Sequence, residues 1–120
     1  MTLADFCAYC LSLPHVEETM PFGPEALVYK VGGKMFALTV PEDYPAKANL
    51  KCDPDRAIEL RDRYEDVQPG YHMNKRHWNT VTLEGRLTNA LLRELIDHSY
   101  QLVIASLPKK VRETLPPLTS

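Results

Sequence analysis

At 120 residues, 44% hydrophobic and 25% charged, the chain has the size and composition of one globular domain, which excludes a disordered or fibrous protein. A formal net charge of −2 excludes a global field that draws in nucleic acid or anionic membrane, so any such partner requires a local patch. There is no apolar run of about 18 residues, and the opening MTLADFCAYC carries an acid but no basic stretch; the sequence therefore predicts no membrane span, no leader and a cytoplasmic location. Three cysteines, an odd number in a chain large enough to need no staple, predict reduced thiols.

The chain order begins with a helix. Thr2 stands at capping-box spacing from Asp5, and Leu3, Phe6, Cys7, Cys10 and Leu11 form one apolar face that ends before Pro14. PHVEETMPFGP, with three prolines, is either irregular or a short edge strand. EALVYKV and KMFALTV are β-rich and joined by Gly32 and Gly33, which predicts a tight hairpin. In AKANLKC, Ala48, Leu50 and Cys52 alternate with Lys47, Asn49 and Lys51, as in a half-buried strand that extends the hairpin into a meander.

Asp53 followed by Pro54 opens a short helix, DRAIELRDRY, with acids early and arginines late. Pro69 and Gly70 end the next connection, WNTVTL reads as a strand, and Glu84 and Gly85 as a turn. Thr88 caps a long helix whose stripes are Leu91, Leu95 and Leu102 beside Leu92, Ile96 and Val103. Pro108 interrupts it, KKVRETL adds a turn or two, and the tail at 116–120 is expected to fray. The expectation is a single domain over residues 1–115. Its fold class is α+β: an antiparallel sheet with the N-terminal and long C-terminal helices packed on one face.

Candidates for chemistry are few. Cys7 and Cys10 form a C-x-x-C, but they lie on the apolar face of a helix with no second cysteine pair, so they read as small buried hydrophobes, as does Cys52. His98, four residues after Glu94, is either a base oriented by a carboxylate or a rim histidine satisfied by a hydrogen bond. Phosphate-cradling, serine-hydrolase and zincin motifs are absent, and no metal or cofactor is expected. Residues 67–83 contain no acid, so Lys75 and Arg76 make a locally positive segment in an acidic chain. His72, Asn74 and His77 add donors and acceptors there, and Tyr71 and Trp78 add flat rings. Cations interleaved with aromatics suit a nucleic-acid contact; a structural loop entering a strand is the other reading of the same residues.

YHMNKRHWNTV, followed by Leu83, Glu84 and Gly85 and then LLRELIDHSYQLV, resembles the MmcQ/YjbR family of small bacterial proteins over most of the chain. The resemblance implies an α+β fold similar to the CyaY/frataxin-like one, and DNA binding through a double-wing β-sheet surface. His72, Asn74, Lys75, His77 and Trp78 match the family motif, with Arg76 at its variable position; Thr88 departs from it, where a proline is expected.

The reading that follows is a non-catalytic DNA-binding protein in which Lys75 and Arg76 meet phosphate, Asn74 and His72 position or read, and Trp78 stacks or anchors. Lys47 and Lys51, on the outward face of their strand, extend the patch, and the chain acts as a monomer or a homodimer. The alternative is a binding module for a small anionic ligand or a protein partner, using the same donors in a cleft. An enzyme using His72 or His77 as acid/base ranks last, because no partner carboxylate or nucleophile is near in sequence.

Overall fold

The computed structural model describes residues 1–71 and 73–115. Helix α1 (Leu3–Ser12) begins with the predicted capping box: Thr2 Oγ1 accepts from Asp5 N at 3.0 Å, and the Asp5 carboxylate accepts from Thr2 N at 3.2 Å. Strands β1 (Val16–Thr19), β2 (Leu27–Val31), β3 (Lys34–Thr39) and β4 (Lys47–Lys51) follow. Gly32 and Gly33 turn β2 into β3 at φ of +59° and +81°, which a residue with a Cβ adopts only with strain. The proline-rich stretch after α1 supplies β1, an edge strand paired only to β2.

Helix α2 (Pro54–Arg63) is capped by Asp53, whose side chain accepts from Arg56 N. Strands β5 (Val67–Pro69) and β6 (Trp78–Thr82) come next, then α3 (Asn89–Ser106) and α4 (Lys109–Thr114). Thr88 caps α3 by accepting from Leu91 N at 3.1 Å, so the threonine at the position where the family pattern leads one to expect proline supplies its own helix start.

The six strands form one antiparallel sheet in the order β1-β2-β3-β4-β6-β5. Sequence patterning assigned no strand to residues 67–69. Three residues show no alternation, and a proline, which cannot donate to a ladder, is tolerated there because β5 is the outer edge.

One core cluster joins Phe6 and Cys10 of α1, Ala57 and Leu60 of α2 and the α3 residues Leu92, Ile96, Tyr100 and Val103 to the sheet side chains Tyr29, Val31, Phe36, Leu50 and Val81. All three helices thus cover the same face. The buried stripe of α3 is turned from the expected one: Leu91 and Leu102 are only partly buried, while Ser99 is fully buried near its centre. A β-bulge lies opposite it. Between the pairs Tyr29–Ala37 and Lys30–Met35 the register slips, and the Ser99 hydroxyl enters beside it, donating to Phe36 O at 2.5 Å and accepting from Lys51 N at 2.9 Å. A helix side chain thereby replaces a missing rung between β3 and β4. No described helix is long and apolar enough to cross a membrane.

Candidate functional site

Side chains alternate across a sheet, so the residues turned away from the helices can be followed rung by rung. The paired series Val28, Leu38, Asn49, Thr80 and Gln68 runs across five strands on the helix-free face. It is apolar on β2 and β3, then changes to amides and a hydroxyl on β4, β6 and β5. Lys47 and Lys51 flank Asn49 on the same face of β4, opposite Thr82 and Trp78 of β6.

Three connections rise around this row and enclose an open groove of about 770 Å³. Phe22 and Ala26 come from the β1–β2 connection, Val40, Asp43 and Tyr44 from β3–β4, and Tyr71 and Met73 from β5–β6. Phe22, Tyr44 and Tyr71 are 69%, 96% and 71% exposed, a large apolar ring area left in contact with water. No helix residue contributes to this lining.

The sequence motif forms the β5–β6 connection and the start of β6. His72 lies outside the described residues. Asn74 makes a turn within the loop: its Oδ1 accepts from Arg76 N at 2.9 Å, and its backbone O accepts from His77 N and Trp78 N. Lys75 Nζ donates to Gly70 O at 3.2 Å, which leaves two of its three ammonium protons for a ligand. His77 O accepts from Cys52 N, tying the loop to the end of β4. Arg76 is exposed, and among the described residues its guanidinium makes no hydrogen bond or ion pair.

Trp78 is half-buried on the face opposite the core, beside Gly70. Gly70 N donates to Trp78 O at 2.9 Å, and a Cβ on Gly70 would sit 2.8 Å from Trp78 Cβ, so only glycine lets the loop return this closely.

Arg61 of α2 holds the loop from the helix side. Its Nε donates to Asn79 Oδ1 at 2.7 Å, and one terminal nitrogen donates to Lys75 O and lies 3.5 Å from Trp78 O. Asn79 is 2% exposed, and among the described residues its Nδ2 has no partner.

The YjbR family model matches residues 11–102, which includes the groove floor, the loop and most of α3. The chain belongs to the YjbR family. It is 42% identical over 107 residues to the uncharacterized protein YbdF of Escherichia coli O157:H7, covering 89% of this chain and 88% of that one. To the uncharacterized protein YjbR of Escherichia coli K12 it is 34% identical over 115 residues, covering 96% and 98%. The crystal structure of a Deinococcus radiodurans protein of domain DUF419 superposes with a TM-score of 0.89 at 44% identity, over 96% of this chain and 89% of that one.

In this YjbR-family chain the thiols and His98 lie on the helix side, away from the groove. Burial pushes the Cys10 thiol well above its ordinary range and the Cys52 thiol up to about 11, so both stay protonated at neutral pH. His98 Nε2 accepts from Asp53 N at 3.1 Å, linking α3 to the cap of α2; partial burial, and then the nearby Arg56 guanidinium, hold its pKa below the usual histidine value. Arg56 also pairs with Glu94 at the surface. Among the described residues no group of three or more His, Cys, Asp or Glu side chains is placed to hold a metal ion.

The motif pointed to the loop and strand alternation to Lys47 and Lys51, but neither pointed to Phe22, Tyr44, Gln68 or Arg61. Alternation in AKANLKC and WNTVTL does turn Asn49 and Thr80 outward. That they face each other depends on the β4–β6 pairing, which skips β5.

Proposed function

We propose that this chain is a non-catalytic DNA-binding protein whose working surface is the helix-free face of the sheet together with the β5–β6 loop. One observation carries this reading. Exposed Phe22, Tyr44 and Tyr71 stand over a hydrogen-bonding row on the same face as Lys47 and Lys51, and Lys75 and Arg76 lie in the loop that contributes Tyr71. Rings for stacking, amides and hydroxyls for base edges and cations for phosphate are the set that nucleic-acid surfaces combine. The structural bonds of Asn74 and Lys75 support a loop held in one shape, which lowers the entropy lost when Arg76 and the free Lys75 donors engage a ligand.

The protonated thiols and the backbone-bonded His98 support binding rather than catalysis, since neither offers a ready nucleophile or base at the groove. The finer kinship with the CyaY/frataxin-like fold belongs to the same reading, supported by helices on one face of an antiparallel sheet and a free opposite face. A fold alone assigns no function, so the weight rests on the surface. The groove volume also lies in the range of small-molecule pockets, which keeps a small anionic ligand as the second reading.

Titrating labelled DNA at low and moderate salt tests the proposal. Saturable binding is expected, with a log–log salt slope of about −3 to −4, because Lys47, Lys51, Lys75 and Arg76 are placed to neutralise phosphates. Arg76→Ala, which keeps the turn made by its own backbone N–H, should reduce the slope by about 1 with the melting temperature unchanged. Absence of binding at low salt, or a slope untouched by Arg76→Ala and by a Lys75→Ala, Arg76→Ala double variant, overturns it.

A further inference from the structure

The hydrogen bonds beneath the groove fix which way its two amides face. Thr80 Oγ1 accepts from Tyr71 N at 3.1 Å and donates its one proton to Asn49 Oδ1 at 2.6 Å. Gln68 lies 2.8 Å from Glu65 O, and a carbonyl only accepts, so the nitrogen of Gln68 must face it. Among the described residues the groups left over are the Asn49 Nδ2 donor and the Gln68 Oε1 acceptor. They stand on either side of Thr80 in one cross-strand row of the groove floor.

A donor and an acceptor held in one row, overlooked by exposed rings, suit the edge of a planar heteroaromatic ring that itself carries both kinds of group. From this we infer that the groove takes an unpaired base of a single-stranded nucleic acid, an inference that rests on the DNA-binding reading and narrows it. A paired base has its hydrogen-bonding edge occupied and both faces stacked, so it presents neither to Asn49 and Gln68 nor to Phe22, Tyr44 and Tyr71. Charge agrees with a strand crossing β4: Lys47 lines the groove and Lys51 follows on the same face, while Asp43 is the acid in the lining and repels phosphate from its own position.

The test compares single strands of about 12 nucleotides with the corresponding duplex, for wild type, Tyr71→Ala and Asn49→Leu, each checked for folding by its melting curve. Single strands are expected to bind the wild type at least about 10-fold more tightly than duplex at equal salt, and Tyr71→Ala should weaken single-strand binding by roughly 5- to 100-fold while leaving duplex binding unchanged. Asn49→Leu should change the ranking among homopolymer strands. A Phe22→Ala variant repeats the stacking test if Tyr71→Ala melts early. Equal affinity for both forms, with neither ring variant having an effect, overturns the base-binding inference while the phosphate-binding surface stands. No binding of either form overturns both.

Discussion

Replacing Arg61 with alanine is expected to destabilise the protein by about 2–4 kcal/mol, because it strips a charged donor from the buried Asn79 carboxamide. Asn79 Oδ1 loses its partner, and Asn79 Nδ2 already lacks one among the described residues, so the whole carboxamide becomes unsatisfied at 2% exposure. Lys75 O loses its tie in the same step, which frees the loop that carries Arg76. Chemical denaturation should show the loss. Arg61→Lys should recover only part of it, since a single ammonium cannot span Asn79 and the loop as the guanidinium fork does. A stability within about 0.5 kcal/mol of wild type in Arg61→Ala would contradict this role.

The second large effect is expected on the helix side of the sheet, at Ser99. Ser99→Ala keeps the helix propensity and nearly the volume, but it leaves Phe36 O and Lys51 N without the hydroxyl that bridges them. A loss of about 2–4 kcal/mol is expected, with a fall in melting temperature on the order of 10 °C. Lys51 is held by this bond at its backbone and shares a face with Asn49, so loosening it should also disturb the spacing of β3 and β4 beneath the groove. An alanine variant that melts like wild type would mean that the bulge closes its own ladder.

The difference between what was legible and what was not follows from range. The capping box at Thr2, the Asp53 and Thr88 caps and the Gly32–Gly33 hairpin are decided by residues within a few positions of one another, and all four were readable. Strand β5 was not, because three residues with a proline carry no period and are held in the sheet by β6. The turn of α3 that buries Ser99 was hidden for a similar reason: a serine in a leucine-rich helix reads as the polar side until Phe36 of β3 and Lys51 of β4, distant in sequence, supply its partners. The candidate site divides the same way. Its motif loop is contiguous and could be picked out by composition, whereas the groove joins Phe22, Leu38, Asn49, Gln68 and Thr80 only through the strand order. Arg61 reads in sequence as a cation completing the last turn of α2, and nothing local signals that it reaches Asn79 and the loop.

The central claim is that the helix-free face, with the loop beside it, is the surface that works. Mapping backbone amide shifts by NMR while adding a single-stranded oligonucleotide tests it most directly. Shifts concentrated at Asn49, Gln68, Thr80 and residues 71–77 are expected, with the amides of α1 and α3 unmoved. Shifts centred on α1 and α3, or no shifts at low salt, would contradict it.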